Sequence, residues 1–301
     1  MFSSTRRQTR VFGPRSTAVS MYLSDERTAG SPDEVPVLMY HSIASGAPRR
    51  FRRFAVDPVE FAAQMAYLEE MGYGPVTAAE LAASRTSGSL LPPHPVVITF
   101  DDAYADFYSA ALPVLRKHDF SATLYVPTGY VGATSRFNGS HGEGDQKILS
   151  WDALRDVTAE RVEVAAHSHT HPQMDRVPAA AIRDEVHRCR GLLEDKLSVR
   201  VHGFAYPFGY FNATARSAVA GEGFSYACAV GNMMTSPDHD VLTMPRLTVK
   251  AGIGVAGLAR LLASRPTAGR RRAAAMQRAT SLAVRRWTPV MGDPRKGWPP
   301  A

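Results

Sequence analysis

Two stretches of the sequence carry side chains whose types and spacing could do chemistry. VVITFDDAYAD (96–106) runs five strand-suited residues straight into the adjacent carboxylates Asp101 and Asp102. AAHSHTHPQM (165–174) sets His167, His169 and His171 at alternate positions behind small apolar residues. Neighbouring Asp residues at a strand end are met in ordinary turns, because Asp is common where a strand gives way to a loop. The alternative is divided labour, in which one carboxylate holds a cation and the other moves a proton. If the chain turns helically after residue 166, His167 and His171 point the same way and His169 faces away. Two imidazoles and one carboxylate then make a three-ligand set for zinc with a position open for water. An extended segment would instead pair His167 with His169, and a purely structural reading leaves all three as surface or core histidines.

The elements that must position these residues are legible from apolar patterning. VPVLMY (35–40) predicts a short strand. In DPVEFAAQMAYLEEMGY, Asp57 is an N-cap, Pro58 takes the first helical position, and Phe61, Met65 and Leu68 recur at helical spacing up to Gly72. PVVITF (95–100) and SATLYV (121–126) predict strands flanking a helix around 104–118. A long loop with GSHGEGD near its tip leads to a helix that starts at Ser150. Strands are then predicted over 161–166, 201–206 and 225–230, alternating with helices over 177–197 and 213–220. Extended structure over 241–249 and a last helix over 253–264 complete the pattern. Such alternation marks a parallel α/β fold. No GxGxxG follows the first strand, so a (β/α) barrel of about seven strands is favoured over an open dinucleotide-binding sheet.

A parallel barrel gathers functional side chains at the C-terminal ends of its strands. Those ends read Tyr40-His41, Asp101-Asp102, His167 to His171, Tyr206-Pro207 and Pro245-Arg246. Polar loops explain any one of them; they do not readily explain two carboxylates and four histidines together. His94, His118, His187 and His239 lie in predicted loops or helices without a partner motif and read as solvated, and His202 as packed within a strand. His41, directly behind an apolar strand, reads as a site residue.

Composition excludes several classes. The 301-residue chain is 45% hydrophobic and 21% charged, ordinary for a globular protein, and has no apolar run long enough to span a membrane. The N-terminus has basic residues without a following apolar run, a poor signal peptide, so the expected location is cytoplasmic. Cys189 and Cys228 form no CxxC pair and read as buried thiols on a helix and a strand. The positive charge is local: residues 265–301 carry +8 while the whole chain carries +7. No recognition motif or basic patch interleaved with aromatics points to nucleic acid. The expected division is a flexible arm over 1–34, one domain over 35–264 and a basic tail over 265–301. Residues 269–287 of that tail can be drawn as a basic amphipathic helix, a form that can lie on an anionic membrane surface, against the alternative of a solvated tail.

TFDDAYAD, HSHTHP and FAYPFGYFN, in this order and spacing, resemble the polysaccharide deacetylases, the NodB-homology or carbohydrate esterase family four domain. SATLYVP and ILSWDALRDV fit the family's connecting segments, VLMYHSI is similar to the first strand of one of its branches, and the resemblance covers roughly residues 35–250. It implies a distorted barrel and metal-dependent hydrolysis of N-acetyl groups on an amino sugar. Residue by residue it implies Asp101 as general base and Asp102, His167 and His171 as ligands of a divalent metal, zinc first, with cobalt or nickel as alternatives. It also places Tyr206, Pro207 and Phe208 at the substrate and oxyanion, with a backbone N–H near Phe208 as donor.

The sequence departs from that pattern in three places. No LxH motif follows residue 210, so His41 is the expected general acid. Ala205 stands where many members have Arg, and Arg246 is expected to orient Asp101 instead. Ala103 takes the place of a glycine that often follows the Asp pair. The expected partner is an N-acetylated glycan, or a lipid-linked saccharide should the tail touch a membrane. Two rival readings remain: a hydrolase of another C–N bond on the same fold, and a catalytically weak carbohydrate-binding module that binds sugar without turnover.

Overall fold

The structure is a computed structural model that describes residues 34–49, 51–137 and 146–263. The expected N-terminal arm up to residue 33, the GSHGEGD loop tip and the basic tail with its amphipathic helix lie outside the described residues.

Ten strands and seven α-helices alternate along the described chain. β1 (Val37–Tyr40), β2 (Ser42–Ile43) and β3 (Ala55–Val56) precede α1 (Pro58–Glu70), and β4 (Gly74–Val76) precedes α2 (Ala78–Ser87). β5 (Pro95–Phe100), α3 (Leu112–Lys117), β6 (Ala122–Val126), α4 (Trp151–Thr158) and β7 (Val162–Ala166) follow. Then come α5 (Ala179–Leu197), β8 (Gly203–Ala205), α6 (Ala213–Gly221), β9 (Tyr226–Cys228), β10 (Leu247–Thr248) and α7 (Gly254–Leu262). The main sheet runs β10-β1-β5-β6-β7-β8-β9, with every neighbour parallel and β4 added beside the start of β5. The chain before β10 also reaches β9: Met244 N–H donates to Ala227 O (2.9 Å) and Ala229 N–H donates to Met244 O (2.8 Å). This bridge brings the two ends of the sheet together as the distorted (β/α) barrel the sequence predicts.

Side chains alternate along a strand, so each barrel strand has an inner and an outer set. Val96, Ile98 and Phe100 pack outward in the large core beneath the helices, whereas Val97 belongs to a second, inner cluster. The inner cluster also holds Val37, Tyr125, Ala165, Ala205, Tyr226, Cys228 and Met244, and Ala78, Leu81 and Ala82 of α2 pack onto it. Gly203 is required here, because a Cβ on it would lie 2.0 Å from the Tyr226 ring.

The helices follow their sequence signals. Asp57 accepts a hydrogen bond from Val59 N–H, Pro58 takes the first turn, and Phe61, Met65 and Leu68 are fully buried on one face of α1. Emptying the Phe61 site by Phe61→Ala would cost about 3–5 kcal/mol. The helix expected over 104–118 is divided: a π-helical turn spans Phe107–Ala111 and α3 begins at Leu112. Pro113 has no N–H to donate, so the regular ladder cannot pass through it. α2, absent from the sequence reading, is built by a capping box of Thr77 and Glu80 around a short, alanine-rich stretch.

Candidate active site

Following the inner face of each strand to the mouth of the barrel leads directly to the chemistry. The column Val37-Met39 continues to His41, Val97-Thr99 to Asp101, Glu163-Ala165 to His167, and Met244 to Arg246. The period of two thus carries His41, Asp101 and His167 from three strand ends to one place, where Arg246, expected at a strand end, arrives instead from the segment just before β10. Asp101, His167 and Arg246 are buried and His41 is half-buried.

Asp102 would point outward if the alternation continued. Instead the backbone turns left-handed at Asp102 (φ 73) and Ala103 (φ 51), and its carboxylate joins the inner side. Left-handed φ favours glycine, which gives a physical reason for the family's glycine at the position of Ala103. Asp102 Oδ1 lies 3.4 Å from His167 Nε2 and 3.2 Å from His171 Nε2, and the two Nε2 atoms are 3.2 Å apart.

The two histidines converge, but not through a helical turn. Ser168 (φ 62) and His171 (φ 56) are left-handed, and His171 N–H donates to Ser168 Oγ (3.0 Å), which closes a tight loop. Glu185 of α5 clamps the loop from behind: its Oε2 accepts from the N–H groups of His169 (2.8 Å) and Thr170 (2.6 Å), and its Oε1 from the Thr170 hydroxyl. His169 faces away, with its Nδ1 2.9 Å from Thr128 Oγ1. His167 Nδ1 donates to Ala205 O (2.8 Å), which leaves the Nε2 lone pair turned towards Asp102 and His171. The His171 ring packs between Phe137 (4.3 Å) and Phe208 (4.6 Å).

These atoms fit a cation. Asp102 Oδ1 is buried with no hydrogen-bond partner among the described residues. Ligand atoms about 2.0–2.1 Å from a tetrahedral zinc stand ~3.3 Å from one another. The separations of 3.2, 3.2 and 3.4 Å match that spacing. Burial pushes the Asp102 carboxyl up, but the neighbouring imidazoles outweigh it and hold it well below the ordinary carboxylate value.

Asp101 stands beside this trio in a different environment. Arg246 Nη1 donates to its Oδ1 (2.6 Å) and Nη2 to its Oδ2 (2.8 Å), a bidentate fork. The guanidinium is itself fixed by Thr99 Oγ1 (3.2 Å) and Ala229 O (3.3 Å), and it lies 5.3 Å from the Tyr125 ring centre. Burial raises the Asp101 pKa, Arg246 and His167 lower it, and the net position is below the usual carboxylate range. Burial likewise lowers the His41 pKa, against an opposing pull from Asp101 and Asp102. The His41 ring rests on Phe54 (4.8 Å), and the following backbone is pinned by Asp106, which accepts from Ser42 Oγ (2.6 Å) and Ile43 N–H (2.9 Å).

One expected site residue is placed elsewhere. Tyr206 shares the outer face of Phe204: its ring stacks on Phe211 (4.9 Å) and its hydroxyl donates to Leu242 O (3.1 Å). Its side chain is a core element beneath the helices and does not reach the mouth. Pro207 is buried, and Phe208 adopts a left-handed backbone (φ 58) beside His171. The solvated reading of His118 also needs correction, since its side chain is 6% exposed and pairs with Glu69 (2.9 Å), whereas His187 is solvated as expected, 74% exposed beside Glu222 (3.0 Å). Glu185 escaped the sequence reading although a signal was present. It is a charged residue on the buried stripe Ile182, Val186, Cys189 and Leu193.

The family model for polysaccharide deacetylases matches residues 90–227, the stretch that holds Asp101, Asp102, His167 and His171. Over these residues the chain matches the polysaccharide deacetylase family. It is 24% identical to YxkH of Bacillus subtilis over 245 residues, covering 80% of this chain and 82% of that one. It is 25% identical to the poly-beta-1,6-N-acetyl-D-glucosamine N-deacetylase of Staphylococcus epidermidis over 225 residues, 71% of this chain and 74% of that one. The fold is shared with the Streptococcus pyogenes deacetylase PplD, solved in complex with acetate (TM-score 0.68, 22% identity, covering 78% of this chain and 100% of that one). Two residues that stand beside these, His41 and Arg246, lie outside the matched segment and arrive through β1 and the chain before β10.

Proposed function

We propose that this protein hydrolyses the N-acetyl group of amino sugars in a glycan, with a divalent metal held by Asp102, His167 and His171. The convergence of their three ligand atoms beside the forked Asp101–Arg246 pair carries the reading. A divalent cation there, zinc or else cobalt or nickel, would supply Lewis acidity and lower the pKa of a water towards about 7. Asp101 accepts the proton of the attacking water, and Arg246 keeps both carboxylate oxygens in place and the group ionised. A backbone N–H at Phe208 is the oxyanion donor, in a position fixed by its left-handed turn. As the C–N bond breaks, His41 gives a proton to the departing nitrogen, since an amide anion is a very poor leaving group. Water adds across the bond, and the products are acetate and the free amine. The name of the S. epidermidis relative supports N-acetylglucosamine polymers as the first substrates to try.

The test is acetate release from chitopentaose and from poly-β-1,6-N-acetylglucosamine by the metal-loaded protein. Acetate in step with new amine, abolished in Asp101→Asn, is expected. Sugar binding without acetate, indifferent to Asp101→Asn, would replace the enzyme with a binding module. Release of ammonia or another carboxylate would reassign the C–N bond.

A further inference from the structure

Two Arg-Phe pairs flank the site from opposite sides. In PRRFRRF (48–54), Phe51 is buried against Tyr104 (5.2 Å), and Arg52–Phe54 form a 3-10 turn in which Phe54 N–H donates to Phe51 O (2.9 Å). Arg53 O also accepts from Ala251 N–H (3.1 Å), so the turn is tied to the body at both ends. Phe54 lies on the His41 ring (4.8 Å), and the Arg53 guanidinium lies 4.5 Å above Phe54 on the solvent side. Across the site, Phe137 lies on the His171 ring (4.3 Å) and is preceded by the exposed Arg136. Each phenyl ring thus covers a site histidine; the Arg53 guanidinium stands over one of them, and the exposed Arg136 is the chain neighbour of the other.

Neither Arg52, Arg53 nor Arg136 forms an ion pair with a carboxylate among the described residues. Asp57, the nearest carboxylate along the chain from Arg53, is engaged as the N-cap of α1 and by Ser45 Oγ (2.6 Å). Inside the site, Asp101 is neutralised by Arg246. The rim therefore offers guanidinium groups that have no carboxylate partner among the described residues, an arrangement that takes an acidic substituent of a sugar in the planar fork.

We infer that the site takes an anionic glycan, with a carboxylate or phosphate on the sugar next to the N-acetylated one, read by Arg53 and Arg136. This rests on the deacetylase reading and names the substrate class of that site. A contact between exposed charges is modest, so each arginine accounts for about threefold in KM and the two together for about tenfold.

Acetate release and binding of fluorescein-labelled sugars are measured for three hexasaccharides: neutral chitohexaose, the alternating N-acetylglucosamine–glucuronate oligomer, and chitohexaose 6-phosphate. The wild type is compared with Arg53→Gln/Arg136→Gln, with Arg116→Gln on the far face as control, at 50 and 500 mM NaCl. The expected result is a preference of the wild type for an anionic probe, in KM rather than kcat. That preference falls about tenfold in the double variant, falls with salt, and persists in the control. The anionic probe that is preferred tells uronate from phosphate. Equal binding of neutral and anionic probes by the wild type, or a preference that survives the double variant, overturns the inference. Arginine-dependent binding of an anionic probe without acetate release would instead sink the deacetylase reading and leave the anion site standing.

Discussion

Replacing Arg246 by Met is the sharpest structural perturbation of this site. The guanidinium is wholly buried and makes four hydrogen bonds, two of them to Asp101. Met has a similar reach but no charge, so Arg246→Met leaves the Asp101 carboxylate uncompensated in a buried site. Breaking a buried pair in this way costs about 3–5 kcal/mol. For a domain of this size that is roughly 6–20 °C in Tm. Most of the cost is the stranded charge, and removing that charge as well should recover part of it. Asp101→Asn/Arg246→Met is expected to be less destabilised than the sum of the single variants by about 2 kcal/mol. Urea unfolding of the four proteins at pH 7 in the presence of a chelator measures this cycle without a metal contribution. A loss below about 1 kcal/mol for Arg246→Met, or strict additivity in the double variant, would refute the claim that the pair is a coupled buried unit.

The other expectations follow from neighbouring contacts. Glu185→Ala removes the acceptor of the three donors behind the histidine loop, and should weaken zinc affinity about 10- to 100-fold by competition titration, while the fold is retained by circular dichroism. His41→Gln should lower kcat by about 10²–10⁴ with little change in metal content, as expected for a proton donor that is not a ligand. Glu163 supplies a pH test. Burial raises its pKa above the ordinary 4.5, against donors from Tyr226, Thr123 and Ala79. A raised carboxyl contributes stability that is fully present below the unfolded pKa and is lost as pH rises through the folded one. The stability of the wild type relative to Glu163→Gln should therefore fall from pH 4 towards neutrality, and a rise would contradict the assignment.

The sequence was most readable where a local rule and the fold agree. Asp57 and Pro58 announce α1, and the strand ends announce the site, because period-two alternation and a parallel barrel place inner residues at one mouth. The same alternation, applied one strand further, would have set Tyr206 with Phe204 on the outer face and kept it out of the site. His167 and His171 are correctly paired by their spacing of four, but through a left-handed loop; the positive φ values of Ser168 and His171 depend on the Glu185 clamp, a contact 15 and 16 residues away in sequence. Arg246 was legible as a charged residue at a strand end, whereas its fork with Asp101 spans 145 residues and is made by sheet closure alone. β2, β3, β4 and α2 went unread because two- and three-residue strands and an alanine-rich helix carry too little periodicity.

The central claim is that Asp102, His167 and His171 hold one divalent cation. Elemental mass spectrometry of the purified protein, beside Asp102→Ala and His171→Ala, tests it without knowledge of the substrate. Near one zinc, cobalt or nickel per chain in the wild type, lost in both variants, is the predicted result. No bound metal after incubation with each of the three, or metal retained in both variants, would contradict it.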